Sequence, residues 1–80
     1  MDQRMYYEKL FSDYPDVVTL PEFCQMLGGI ADVTARKLIR GNVVKHLYAR
    51  DMFLIPKVYV IDYVLSDHYR EYRKLLKHKV

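Results

Sequence analysis

The clearest pattern in the chain is a pair of short helical periods separated by two glycines. In the first period, apolar residues recur three and four positions apart, at Leu20, Phe23, Cys24 and Leu27. Thr19 followed by Glu22 matches the capping box that starts a helix, and Pro21 is tolerated in the first turn. Gly28-Gly29 predicts the end of this helix, because glycine adopts the left-handed cap and allows a sharp reversal.

The second period covers residues 32–40 and is amphipathic. Its inward positions are Ala35, Leu38 and Ile39. Its outward or flanking positions are Val33, Thr34, Arg36, Lys37 and Arg40. We expect Asp32 as the N-cap, or Ala31 with looser geometry, and Gly41-Asn42 as the end. With Ile30 buried between them, the two helices have the pattern of a helix-turn-helix, in which one helix braces and the next is presented to a DNA groove.

The segment before this pair predicts one more helix, and the segment after it predicts a hairpin and a further helix. The first helix spans about residues 3–12 and ends before Pro15, and Val17-Val18 follows as a short extended approach. Two β-prone runs, residues 43–49 and 52–55, predict a hairpin. Arg50-Asp51 between them contains no glycine or asparagine, so we expect a loose loop there rather than a tight type I′ turn. The further helix opens with Pro56 at its first position and buries an apolar stripe of Val60, Ile61, Val64 and Leu65.

The tail, residues 66–80, is predicted to be helical, either continuing the preceding helix or restarting near Ser66-Asp67. Its apolar stripe consists of Tyr69 or Tyr72 with Leu75 and Leu76, and its outer face carries Arg70, Arg73, Lys74 and Lys77. Because a helix of this length is marginal alone in water, we expect it to pack on the first helix, at Tyr6, Leu10 and Phe11. The alternatives are pairing with another molecule, a phosphate-binding extension and a solvated helix.

Together these elements predict a single domain, residues 1–80, mainly α with a small β-hairpin. The predicted fold is a winged helix-turn-helix with its core in residues 17–65, an N-terminal helix over about 3–12 and a basic helical extension over 66–80. At 80 residues with 51% hydrophobic composition, the chain is expected to fold around a small core. No apolar run approaches the ~18 residues of a membrane span, so we expect a soluble, cytoplasmic protein without a membrane partner.

Charge is distributed unevenly along the chain. Residues 1–32 hold two basic and six acidic residues, whereas residues 33–57 hold six basic residues and one acidic residue. Such an asymmetry favours one face directed at an anionic polymer. Enzyme chemistry is disfavoured, because the sequence has no phosphate-binding glycine loop and no Cys/His ligand set for a metal. The lone Cys24 is expected to be a small buried hydrophobe, and no cofactor, catalytic or metal site is predicted.

The order and spacing of thirteen residues resemble the excisionase-like helix-turn-helix proteins, relatives of the MerR-type winged helix-turn-helix. The matching residues are Thr19, Glu22, Leu27, Gly28, Ile30, Thr34, Leu38, Ile39, Arg40, Phe53, Ile55, Pro56 and Lys57. The resemblance implies a double-stranded DNA-binding protein of a mobile element, which directs DNA recombination toward excision, or a small regulator of transcription. Besides DNA, a tyrosine-family integrase and self-association on DNA are the candidate partners.

The chain departs from the family pattern at the start of the second helix and in the hairpin. Ala31 and Asp32 stand where the family has serine and a basic residue, Arg50-Asp51-Met52 replaces Gly-Arg-Lys, and Leu54 replaces a basic residue. The hairpin is therefore poorly charged, which weakens the expectation that it contacts phosphates. These departures motivate a second hypothesis, a protein-interaction module with weak DNA affinity on the same fold.

The candidate DNA contacts are the polar and basic residues of the second helix, the hairpin and the start of the next helix. They are Thr34, Arg36, Lys37, Arg40, Lys45, Arg50 and Lys57. Thr34 either bonds a base edge or phosphate, or only occupies the first turn. For the cations the alternative is an ordinary solvated surface. Three tyrosines, Tyr48, Tyr59 and Tyr63, are assigned to packing rather than to base stacking.

Overall fold

The computed structural model describes residues 2–78 and their side chains up to Arg73, and this part of the chain forms five helices and one three-stranded antiparallel sheet. The elements are α1 Gln3–Leu10, β1 Val17–Thr19, α2 Leu20–Met26, α3 Asp32–Arg40, β2 Leu47–Ala49, β3 Met52–Pro56, α4 Lys57–Val64 and α5 Asp67–His78. The predicted class, mainly α with a small β component, is confirmed at this level. Among residues 2–78, no helix is long and apolar enough to cross a membrane.

Helix α2 begins where the capping pattern predicted. The carboxylate of Glu22 accepts hydrogen bonds from the backbone N–H of Thr19 at 2.9 Å and from its hydroxyl at 3.1 Å. This satisfies a backbone donor at the junction with β1, which ends at Thr19, one residue before the helix starts.

The glycine pair ends α2 through its backbone conformation. Gly28 and Gly29 have φ angles of +87° and +86°, and the N–H groups of Gly29 and Ile30 both donate to the carbonyl of Cys24. A Cβ at either glycine would meet nothing within 4 Å, so the left-handed backbone rather than lack of space requires glycine here. Ile30 is buried as predicted.

The sheet is larger than predicted, because Val17–Thr19 pairs as a third strand. The strand order is β1-β3-β2, so β3 lies in the centre, with Val18 opposite Ile55 in one pair and Tyr48 opposite Phe53 in the other. The first arm of the hairpin is shorter than the predicted run 43–49, although Val44 before it is buried in the core.

The hairpin turn is tight, contrary to the expected loose loop. Ala49 pairs with Met52, so only Arg50 and Asp51 connect the strands, and their φ angles are +52° and +64°. Positive φ at both central residues is the property of a type I′ turn, whose twist matches that of the strands. The expectation was wrong because strand pairing outweighs the cost of left-handed backbone, about 1–2 kcal/mol per residue for side chains other than glycine.

Helix α4 begins at Lys57, with Pro56 as its N-cap and as the last residue of β3, so the predicted first position of Pro56 was wrong by one residue. The backbone N–H of Lys57 donates to the carbonyl of Asp16 at 2.6 Å. Its ammonium group donates to the carbonyls of Tyr14 at 2.9 Å and Phe11 at 3.3 Å. Through these three hydrogen bonds, Lys57 connects the segment between α1 and β1 to the start of α4.

The core lies between the sheet and helices α2, α3 and α4. Its buried hydrophobic residues are Phe11, Val18, Leu20, Phe23, Met26, Leu27, Ile30, Ala35, Leu38, Ile39, Val44, Ile55, Val60, Ile61, Tyr63 and Val64. The predicted inward stripe of α3 is confirmed. The stripe of α4 is confirmed except that Leu65 is only half-buried and Tyr63 is buried as well.

Helices α1 and α5 pack at the edge of this core. The chain restarts as α5 at Asp67, after Ser66 donates its hydroxyl to the carbonyl of Tyr63 at 2.5 Å and accepts the N–H of Tyr69. Tyr69 and Tyr72 of the predicted stripe pack against the core, but α5 packs mainly on α4 rather than on the predicted surface of Tyr6 and Leu10 in α1. The predicted tail positions Lys74, Leu75, Leu76 and Lys77 have side chains outside the described residues.

The inward face of α1 differs from the predicted one. Tyr6 and Leu10 are 52% and 56% exposed, whereas Tyr7 packs on the core beside Phe11. On the same face of this helix, one turn before Tyr7, Arg4 pairs with Asp62 of α4. That hydrogen bond raises the pKa of the Arg4 guanidinium.

Replacing the ammonium of Lys57 tests its role in this fold. Lys57→Met keeps much of the aliphatic stem but removes the donors to two backbone carbonyls, so we expect the free energy of unfolding to fall by about 1–2 kcal/mol. Urea denaturation measures the change. Lys37→Met, at an exposed position of α3, is the matched control and should change stability by less than about 0.5 kcal/mol. Equal effects of the two substitutions would contradict this role.

The hairpin turn gives a second stability prediction. Asp51→Gly relieves the left-handed strain and should raise the free energy of unfolding by roughly 0.5–1 kcal/mol. Ala49→Gly introduces the same residue in the neighbouring strand, where φ is not positive, and should lower stability by roughly 0.5–1 kcal/mol. Thermal unfolding of both variants compares them, and destabilisation by Asp51→Gly would show that the turn carries no such strain.

Candidate nucleic-acid interface

The surface that sequence analysis selected is the outer face of α3. Ala35, Leu38 and Ile39 are buried against the core, with α2 packed beside them. Successive helical residues turn by about 100°. The opposite face is therefore formed by exposed residues, namely Val33, Arg36, Lys37 and Arg40. The structure thus brings three of the predicted contact residues together on one solvent-facing surface.

Asp32 is not the N-cap of α3, which corrects the favoured prediction. Ala31 occupies that position, with φ −68° and ψ 149°, and Asp32 lies in the first turn. Its carboxylate accepts from Nε of Arg36 at 2.6 Å, with the two side chains 62% and 44% exposed. The carboxylate was free to pair with a cation one turn away on the same surface, instead of capping backbone N–H groups.

The charge of the α3 face therefore depends on two residues. In the part of the chain with described side chains, the ion pairs are Arg4–Asp62, Arg36–Asp32 and Arg70–Asp67. Lys37 and Arg40 take part in none of them, and both are exposed. They carry the uncompensated positive charge of this face, whereas the charge of Arg36 is partly neutralised by Asp32.

The remaining predicted contact residues lie in different surroundings. Thr34 is half-buried at the side of the α3 face. Lys45 is exposed, with its ammonium 5.9 Å from the ring centroid of Tyr59. Arg50 is exposed at the hairpin turn beside Asp51. Lys57 is half-buried, and its ammonium group donates to backbone carbonyls of the connection between α1 and β1. It therefore stabilises the fold and is not directed at a ligand.

The outer face of the sheet is a feature that sequence analysis missed. Alternation along the paired strands places the side chains opposite the core face, and apart from Thr19 they are all apolar: Val17, Leu47, Ala49, Met52, Leu54 and Pro56. The sequence does contain a signal for this face, because residues 52–56 are apolar at every position instead of alternating between apolar and polar. The hairpin was instead judged by its charged residues alone.

The three tyrosines assigned to packing have different outcomes. Tyr63 is 3% exposed and Tyr59 packs against the core, but Tyr48 is 61% exposed and contacts only the hairpin ring of Phe53 among the aromatic contacts described. The hydroxyl of Tyr63 lies 3.0 Å from Nδ1 of His68. Burial, reinforced by Tyr72 and Tyr69, raises the pKa of Tyr63 to about 12.

Cys24 is a half-buried side chain of α2, and its pKa is raised, first by burial and then by the nearby charge of Asp32. A raised pKa lowers the fraction of thiolate at neutral pH, so the sulfur is a poor nucleophile. In the described residues, no group of three or more His, Cys, Asp and Glu side chains could hold a metal ion.

Neither a protein-family model, nor a curated protein, nor a solved structure matches this chain.

The pKa of Tyr63 predicts a pH dependence of stability. Between about pH 10 and pH 12 the unfolded chain loses this proton while the folded protein keeps it, so the free energy of unfolding falls as pH rises through this window. Tyr63→Phe should make that decline shallower, as measured by denaturation at about pH 9 and about pH 11. Tyr48→Phe removes an exposed phenol and should leave the decline unchanged. A decline of equal steepness in all three proteins would contradict the assignment.

Proposed function

We propose that the protein binds double-stranded DNA with sequence preference and that α3 enters the major groove. The observation that carries this proposal is the α3 face, on which Lys37 and Arg40 are exposed and unpaired beside Arg36. Helix α3 packs against α2, and a short turn connects the two helices. Helix-turn-helix proteins present a recognition helix in this arrangement. The pairing of α2 with α3, followed by a hairpin and a further helix, supports a winged helix-turn-helix fold.

Phosphate contacts supply most of the affinity in this proposal. Each cation that neutralises a phosphate releases counterions, so affinity falls as salt rises. Lys37 and Arg40 make these contacts, whereas Arg36 keeps its pair with Asp32. Lys45 and Arg50 add further phosphate contacts from the hairpin segment, whereas the ammonium of Lys57 remains bound to the carbonyls of Tyr14 and Phe11.

The role we assign is that of an excisionase or similar recombination directionality factor of a mobile element, acting in the cytoplasm with a tyrosine-family integrase and with further copies on DNA. This role rests on the family resemblance. An excision assay with an integrase encoded beside the gene tests it. Stimulation of excision supports the role, whereas control of a nearby promoter without any effect on excision would support a transcriptional regulator.

The apolar outer face of the sheet favours a second candidate function, a protein-interaction module that has lost most DNA affinity. That face carries no charged side chain, so it adds nothing to phosphate binding. Salt-insensitive or undetectable binding to every duplex tried would rule out the first proposal and leave this one.

Substitutions on α3 test DNA binding directly. Lys37→Ala or Arg40→Ala should weaken binding by roughly 1 kcal/mol, about fivefold, and should lower the slope of log affinity against log salt by about 0.9 per lost contact. Fluorescence anisotropy with duplexes from the host element, across a salt series, provides both values. Lys9→Ala removes an exposed cation of α1 and is the control. An equal loss in all three variants would indicate binding through net charge alone.

A further inference from the structure

One aliphatic side chain lies on the charged face of α3, at its N-terminal end. Val33 is 61% exposed in the first turn of the helix. With about 100° between successive residues, its position falls between those of Lys37 and Arg40, which flank it by about 40° and about 20°. Viewed down the helix axis, an apolar side chain therefore lies between two cations, and it lies at the N-terminal end of the proposed DNA-facing surface, with Lys37 and Arg40 about one to two turns beyond it.

The position of Val33 along the helix determines what it can meet. In a recognition helix the N-terminal residues approach the base edges. In this chain the exposed side chains of the first turn are Asp32 and Val33, and Asp32 is occupied by Arg36. Thr34 is half-buried at the side. Val33 is thus the side chain of the first turn that is free to reach a base.

The chemistry of valine restricts the base that it can favour. Valine neither donates nor accepts a hydrogen bond, so the polar groups of the major groove gain nothing from it and lose water beside it. The C5-methyl group of thymine is the apolar group that a base pair presents in this groove. We infer that Val33 is a specificity-determining residue that selects thymine by contact with its methyl group, an inference that rests on the proposed DNA binding.

Replacement of thymine by uracil tests this contact, since it removes the methyl group and keeps base pairing. A tight-binding duplex is first selected from a randomised pool with the wild-type protein, and its thymines are then replaced one at a time. We expect one replacement to weaken binding about fourfold, the value for burial of a single methyl group. Val33→Ala should bind the thymine and uracil duplexes equally at that position.

Val58→Ala is the matched control, because Val58 is also an exposed helical valine, in α4. It should keep the uracil penalty, and unchanged thermal unfolding of both variants shows that they fold. Salt-dependent binding without a uracil penalty, or with a penalty that Val33→Ala retains, would overturn thymine selection alone. Failure to select any bound duplex would overturn thymine selection together with DNA binding.

Discussion

The pairing of β1 with β3 is the contact on which the arrangement of the other elements depends. It places Val18 opposite Ile55, and both side chains are fully buried. Helix α2 starts directly after β1, and α4 starts directly after β3. The register in which residues 17–19 pair with residues 54–56 therefore fixes where both helices begin. The chain between the two strands contains α2, α3 and β2, so closing this loop costs entropy that the buried pair and its neighbours must offset. The orientation of α3 follows from that closure, because α2 supports it from behind.

Local signals explain how much of the fold could be predicted from sequence. The capping pair Thr19 and Glu22, the two glycines and the inward stripe of α3 all act within a few residues, and each was predicted correctly. Strand β1 is only three residues long, and nothing within it indicates that its partner lies at Met52–Pro56. The tight turn at Arg50-Asp51 was missed for a related reason, because propensity disfavours it and the flanking strand pairs impose it.

The candidate site was predictable as a surface but not as a set of interactions. Helical periodicity placed the cations of α3 outward without any knowledge of the fold. Two details depend on three-dimensional neighbours: the carboxylate of Asp32 pairs with Arg36, and the ammonium of Lys57 is bound to carbonyls of the α1–β1 connection. Both interactions reduce the positive charge available to a ligand, although a count of basic residues includes Arg36 and Lys57 in full. Charge counted along a sequence therefore gives an upper limit for charge presented by a surface.

The short length of the two outer strands has a consequence for colloidal behaviour. A sheet with one apolar face exposed presents unpaired backbone groups along both edges, and such edges promote stacking into fibrils. Here each edge strand, β1 and β2, is three residues long, and the left-handed turn at Arg50-Asp51 ends β2 abruptly. An incoming strand therefore finds too few hydrogen-bonding positions to hold its register. The brevity of these strands therefore limits the template for strand addition that the sheet offers to a second chain, although its outer face, with Leu54 and Pro56 half-buried, is apolar.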